Sequence, residues 1–313
     1  MQNFRKILFV SHGTVDESDG LMQALSTARV SGATLAILVV CPHLPEEFTE
    51  YEGVYGDGLV ARAGQSLQKA RELLKMNASP EPVEIQLDAG DNPAQRIIRR
   101  VLADDYDLVV KNVEGPTRRK GFKALDMELL RKCPCPVWLS RPIEHPREEV
   151  RVVVAVDPEY KQPSAYDLGI RLLRLSRALA DGCNGILHVV SCWDYDVDEY
   201  LRHNYPINIS DEELDRALEK AGAAHRAKLD ALIHASGIEG PMEVHHAIAR
   251  PDSFIPYLIE EKQLDILVMG TVARTGIPGF IMGNTAENIL QRLTCSLLAL
   301  KPSDYKTPVK PLS

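Results

Sequence analysis

The chain lacks any long apolar run. Nothing in it approaches the ~18 consecutive apolar residues of a membrane span, so no membrane partner is expected. Its opening residues, Met1 to Val10, place two basic side chains ahead of a short apolar stretch, Ile7-Leu-Phe-Val10. A secretory leader needs a longer apolar region and a small-residue cleavage site. The six cysteines (41, 133, 135, 183, 192 and 295) are scattered and outline no disulfide framework. Reduced thiols and a cytoplasmic location are therefore expected. Positive charge is also scarce: 36 Lys and Arg stand against 44 Asp and Glu, a formal net charge of -8. Binding along nucleic acid phosphates, or to an anionic membrane, needs a basic surface, so neither is an expected partner. Also missing are the Gly-x-Gly-x-x-Gly of hydride-transferring enzymes and the nucleophile-elbow serine of hydrolases.

What is present is a sequence written twice. Lys6-Ile-Leu-Phe-Val-Ser-His12 is answered by Arg151-Val-Val-Val-Ala-Val-Asp157. Tyr106-Asp-Leu-Val-Val-Lys111 is answered by Leu264-Asp-Ile-Leu-Val-Met269. Cys133-Pro-Cys-Pro-Val-Trp-Leu-Ser-Arg-Pro142 is answered by Cys295-Ser-Leu-Leu-Ala-Leu-Lys-Pro302. Repeats of this length are whole domains rather than solenoid units. The 313 residues divide into a first domain, 1–145, and a second, 146–313, each long enough for its own core. Arg141 to Glu149, polar and holding two prolines, reads as the linker. The tail from Pro302 reads as irregular. A 45% hydrophobic and 26% charged composition is ordinary for a soluble globular chain.

Each half alternates unbroken apolar strands with helical periodicity. In the first, Ile7–Val10, Thr34–Val40, Glu84–Leu87, Leu108–Val110 and Val137–Leu139 are predicted strands. Helices are predicted over Asp19–Val30, Leu59–Met76 and Pro93–Asp104. In the second, the strands are Arg151–Val156, Ile186–Val190, Met242–Ala247, Ile266–Met269 and Leu297–Leu300. The helices are Ser164–Ala180, Asp211–Ser236, Phe254–Glu261 and Asn284–Leu293. Ser210 and Glu213 have the spacing of a capping box. Strands without alternation imply a parallel sheet covered on both faces. The fold class is thus α/β: two tandem doubly wound five-stranded domains, with ligands expected at the carboxyl ends of the strands.

The sharpest local signal runs from Met269-Gly270 through Arg274, Gly276 and Gly279 to Gly283-Asn284-Thr285. It follows a strand and opens a helix. Glycines let backbone approach an anion closely, the helix start offers free amides and a positive dipole end, and Arg274 adds a charge-assisted donor. On the glycines alone, a turn that merely links strand to helix is the plainer reading.

This stretch resembles the nucleotide-binding loop of the universal stress protein family: Gly, two residues, Gly, nine residues, Gly, then Ser or Thr. Gly270 and Gly283 match the first and third glycines. Ala273 stands at the second glycine, Asn284 at the hydroxyl residue, and Thr285 follows one place late. Asp157, preceded by Ala155 and Val156, matches the family's strand-end aspartate, and Val189 its adenine-contacting position. The resemblance covers nearly the whole chain and is closest to the tandem, E-type branch. It implies a Rossmann-like pair of domains packed as a pseudo-dimer through their last strands, with a further homodimer left open. It also implies ATP or a related adenine nucleotide, with Mg²⁺, held in the second half. Ala155, Val156, Asp157 and Val189 would lie near adenine and ribose; Met269, Gly270, Ala273, Arg274, Gly283, Asn284 and Thr285 would lie around the phosphates. The first half departs from the pattern. His12 replaces the aspartate, no matching glycine spacing follows Val110, and Asp126-Met-Glu128 stands near the third glycine's place. That half is expected not to bind ATP in the family manner, and the basic cluster Arg118-Arg-Lys120 reads as a solvated loop.

Other groups read as structural. Cys133-Pro-Cys135 lacks a second ligand pair at diagnostic spacing and reads as a turn. His245 and His246, adjacent on a predicted strand, point to opposite faces and share no metal. Asp194-Tyr-Asp196-Val-Asp198 opens like a calcium loop but has Glu199 and Tyr205 at the glycine and glutamate positions. The expected function is a stress-response binding or regulatory module. Slow ATP hydrolysis is an alternative for which no general base is evident, and a carrier of a lipid-like or metal ligand is another. If the Ala273 methyl crowds a phosphate, Ala273→Gly should tighten ATP affinity in a calorimetric titration. Unchanged or weaker affinity would remove that explanation.

Overall fold

The computed structural model of the protein describes residues 4–76, 82–113, 120–160, 162–183, 185–193, 210–271 and 282–311. In the first half, chain order is β1 (Lys6–Ser11), α1 (Ser18–Ser31), β2 (Thr34–Cys41), α2 (Glu52–Leu73), β3 (Glu84–Ala89), α3 (Pro93–Asp104), β4 (Leu108–Asn112), α4 (Ala124–Lys132) and β5 (Val137–Ser140). The second half repeats it: β6 (Val152–Ala155), α5 (Pro163–Asp181), β7 (Leu187–Trp193), α6 (Asp211–Ser236), β8 (Met242–Ile248), α7 (Pro251–Lys262), β9 (Ile266–Gly270), α8 (Asn284–Arg292) and β10 (Ser296–Leu300).

The strands form one ten-stranded sheet in the order β3-β2-β1-β4-β5-β10-β9-β6-β7-β8. Each half contributes the doubly wound set of five that the sequence predicts. The sets merge because β5 and β10 are buried along their whole length. They pair antiparallel, Leu297 against Leu139, Leu298 against Trp138 and Ala299 against Val137. The other neighbours in the sheet are parallel. Apolar side chains of α1, α2, α5 and α6 share one buried cluster, on one face of the sheet. Those of α3, α4, α7 and α8 share the other.

Local chemistry sets several element boundaries. Ser210 Oγ accepts the Glu213 amide (3.3 Å) while Glu213 Oε2 accepts the Ser210 amide (3.1 Å), starting α6 with the capping box its sequence spells. Helix α7 contains Pro256, whose missing N–H cannot bond to the Asp252 carbonyl. Arg292 Nη1, at the end of α8, donates to that carbonyl instead (3.1 Å). The linker is less free than its composition suggests. Ile143 packs against the core, Val150 is buried, and His145 Nδ1 lies 2.8 Å from Asp265 Oδ1. Strand β7 runs past its predicted end at Val190. Ser191, Cys192 and Trp193 continue the backbone ladder against His246, Ala247 and Ile248. Backbone pairing tolerates the polar side chains that made the sequence look like a strand end.

Candidate functional site

In the second half the strand order turns at β6, whose neighbours are β7 and β9. Connections leave β6 and β9 in opposite senses, so a crevice opens at their carboxyl ends, the usual ligand position of such sheets. Ala155 ends β6, and the next amide, of buried Val156, donates to the Val190 carbonyl (3.0 Å). Asp157 follows, its Oδ1 accepting the Glu159 amide (2.8 Å), which turns the chain away from the sheet. Beside it, β9 ends with buried Met269 and then Gly270. A Cβ on Gly270 would lie 2.9 Å from Leu168 Cδ2, so this glycine lets α5 cross the strand end closely, whatever else it does.

Buried Thr271 donates its amide to the Leu300 carbonyl (3.2 Å) and accepts the Gly283 amide on its own carbonyl (3.3 Å). The chain therefore returns at Gly283 to the point where it left the sheet, and enters α8 there. Gly283 is the N-cap residue, at φ -63 and ψ 139, and has no side chain to cap the helix. The amides of Asn284, Thr285 and Ala286 begin α8, and Asn284 and Thr285 are exposed. Amides of a helix's first turn have no partner within the helix.

The predicted site thus divides into three parts. Ala155, Val156 and Asp157 sit at the end of β6, Met269 and Gly270 at the end of β9, and Gly283, Asn284 and Thr285 at the start of α8. Ala273 and Arg274, with Gly276 and Gly279, lie outside the described residues. Val189 differs from expectation. It lies in the middle of β7, fully buried, paired with Val154 and Val244, and so supports the crevice from within the core instead of lining it.

The first half fills the corresponding crevice with its own groups. Val110 pairs with Trp138 as Val268 pairs with Leu298, so Lys111 corresponds to Met269 and Asn112 to Gly270. Aligned through Cys135 and Cys295, Asp126 corresponds to Ala286 and Lys123 to Gly283. Lys111 Nζ and Asp126 Oδ1 form an ion pair (3.0 Å) with both side chains fully buried. Asp126 Oδ2 also accepts the Lys123 amide at the start of α4 (3.3 Å). A carboxylate belonging to the chain thus occupies a helix N-terminus of the kind that attracts anions. At the end of β1, Ser11 Oγ donates to the Glu17 carboxylate, and the His12 amide reaches Glu17 Oε1 (3.4 Å). Glu17 is 3% exposed, and burial pushes its carboxyl above the ordinary value despite those two donors. Gly13, at φ +62, lies under α2: a Cβ there would meet the Leu59 carbonyl oxygen at 2.5 Å. Sequence reasoning weighed Asp126 only as a departure from the motif and missed Glu17, which carries no local signal beyond its place before a helix.

Two copies of a doubly wound α/β domain, joined edge to edge, the first with its crevice filled by its own buried charges, define a tandem protein of the Rossmann-like class. The Universal stress protein family model matches residues 3–141 and 150–301, and the chain belongs to that family, with one copy in each half. It is 34% identical over 236 residues to Universal stress protein E of Escherichia coli K12, covering 73% of this chain and 71% of the relative. It is 27% identical to Universal stress protein E of Photorhabdus laumondii, covering 99% of each chain. Among solved structures, a functionally unknown protein of Pseudomonas aeruginosa PAO1 shares the fold at TM-score 0.70 and 23% identity, covering 97% of this chain and 94% of that one. A universal stress protein of Archaeoglobus fulgidus does so at TM-score 0.57 and 17% identity, covering 96% and 97%.

Two stability measurements check the filled crevice. Lys111→Met leaves the Asp126 charge buried without its ion-pair partner and should cost about 3–5 kcal/mol in denaturant unfolding. Lys111→Met combined with Asp126→Ala, the pairing of the second half, should recover most of that loss. A double variant no better than the single would refute the account. For Glu17 the sign follows from a raised carboxyl pKa. Its contribution to stability is complete below the unfolded value and is lost as pH rises through the folded value. The melting temperature of Glu17→Gln relative to the natural protein should therefore rise from about pH 5 to about pH 8. A flat or falling difference would contradict it.

Proposed function

We propose that the second half, residues 146–313, binds ATP or a related adenine nucleotide at the carboxyl ends of β6 and β9, and that the first half, residues 1–145, does not. The observation that carries this reading is the contrast between two equivalent helix starts. At α4 a buried carboxylate of the chain accepts the Lys123 amide; at α8 the residues corresponding to Lys123 and Asp126 are Gly283 and Ala286, which bring no charge of their own. Gly270 and Gly283 match the first and third glycines of the family's nucleotide loop, and the Gly283 amide donates to the Thr271 carbonyl, bringing the two ends of the segment together. The phosphates are assigned to the start of α8 with Asn284 and Thr285, and the ribose and base to Asp157 and its strand end. When bound, Mg²⁺ would neutralise phosphate charge.

The reading is of a cytoplasmic regulatory module. Nucleotide occupancy changes its conformation or its choice of partner only to the extent that the nucleotide binds one state more tightly. Hydrolysis would require a group that orients water together with the metal.

The test is calorimetric titration of nucleotide-stripped protein with ATP and Mg²⁺, alongside Gly283→Asp. Aspartate suits an N-cap in this backbone conformation, so the variant should fold, while its carboxylate would stand where a phosphate must. One site per chain, abolished in the variant, is the expected result. No binding at millimolar ATP would overturn the proposal, and binding unchanged by the substitution would remove it from this crevice. Metal-dependent phosphate release lost in the same variant would add turnover to the reading.

A further inference from the structure

Histidines gather on β7 and β8, away from the β6–β9 crevice. His245 and His246 point to opposite faces of β8, as alternation requires. His246 Nε2 meets His225 Nδ1 of α6 (3.0 Å), and both rings stack near Trp193. His245 turns the other way. Strand register sets His188 beside Glu243 and Val190 beside His245. Glu243 and His245, two residues apart, share a face of the sheet, and His188 joins them there from β7.

The three side chains bring their donor atoms together. His188 Nδ1 lies 3.0 Å from His245 Nε2 and 3.4 Å from Glu243 Oε2, and His245 Nε2 lies 3.6 Å from Glu243 Oε1. All fall within 4.8 Å of one another. A four-coordinate zinc ion with ligand bonds of about 2.0–2.1 Å separates its ligand atoms by about 3.3 Å. The two imidazole nitrogens already lie near that separation, and each has a different Glu243 oxygen at a similar distance, so a small turn of the carboxylate brings one oxygen to the third corner of a tetrahedral face. Two neutral imidazoles and one carboxylate form a ligand set suited to zinc and its borderline neighbours, and unsuited to magnesium or calcium.

We propose that His188, Glu243 and His245 form a binding site for one divalent transition-metal ion of the zinc type, with a fourth position left for water. The site has two walls of different character. The imidazoles are nearly enclosed, with side chains 9% and 12% exposed, whereas Glu243 is 45% exposed and gives the ion its path in. The metal-free protein already balances the carboxylate. Lys262 Nζ, at the end of α7, lies 3.3 Å from Glu243 Oε1. An entering ion replaces the N–H···N contact between the two neutral imidazoles, the bridging proton moving to the other nitrogen of its own ring, and competes with Lys262 for Glu243. Arg151 opposes the ion electrostatically and Glu261 favours it. Lys262 thus sets the affinity without being a ligand.

The full chain, stripped by chelator, would be dialysed against Zn²⁺ and titrated with Co²⁺ as a spectroscopic probe. One Zn²⁺ per chain is expected, with the intense ligand-field absorption of four-coordinate Co²⁺ and no thiolate charge-transfer band. His245→Asn should abolish binding. Glu243→Gln, at a half-exposed position that does not threaten folding, should weaken it by at least about tenfold, the loss typical of even an outer-shell partner. Lys262→Met should tighten it. His246→Gln, on the opposite face, should leave it unchanged. The proposal is overturned if the natural protein takes up no Zn²⁺ at micromolar free metal. It is equally overturned if uptake survives both His245→Asn and Glu243→Gln, or is instead lost with Cys133→Ser/Cys135→Ser.

Discussion

The antiparallel pairing of β5 with β10 is the interaction on which both halves depend. Each strand is buried throughout and apolar but for one serine, so separation would expose an unpaired, hydrophobic sheet edge of the kind proteins otherwise cover or charge. The seam is reinforced on both sides. The Arg141 amide donates to Ser296 Oγ (3.0 Å), the Gly121 amide to the Leu293 carbonyl (3.1 Å), and Tyr305 Oη to the Arg131 carbonyl (2.6 Å). The last of these, with partly buried Val309 packed against the core, ties the irregular C-terminal tail onto the body of the protein. Neither half is built to stand alone.

The seam also fixes the geometry of divergence. Because α1, α2, α5 and α6 share a face while the strands reverse across β5–β10, the axis relating the halves runs perpendicular to the sheet. The two crevices consequently open at opposite ends of the molecule and can change independently. One filled itself with Glu17 and the Lys111–Asp126 pair, groups whose burial is tolerable because each is hydrogen-bonded or paired. The other kept glycine and alanine at the corresponding helix start.

Much of the fold was legible in the sequence because its signals are local. Unbroken runs such as Val152–Ala155 spell buried parallel strands, and Ser210 with Glu213 spells a helix start. The duplication supplies the strand order twice. What escaped depends on neighbours. The continuation of β7 through Ser191 and Cys192 is dictated by its ladder with β8, not by its own polarity. The helix over Phe254–Glu261 was legible despite Pro256, but the donor that serves the carbonyl Pro256 leaves over, Arg292, is distant in sequence. The chain sets His245 beside His246, but its companions in space are Glu243 two residues back and His188 on the next strand. The candidate crevice was legible as a motif, yet the role of Val189 was not, since only the register shows it to be interior.

The linker between Arg141 and Val150 has a consequence of its own. Two separate subunits pair only as far as their abundance allows, whereas tethered partners meet at an effective concentration that can reach millimolar whatever the cell contains. With Ile143, His145 and Val150 pinned against the body of the protein, that tether is short and held. Pairing of the two halves is therefore insensitive to expression level and to dilution. The two halves are thus always present in a ratio of one to one.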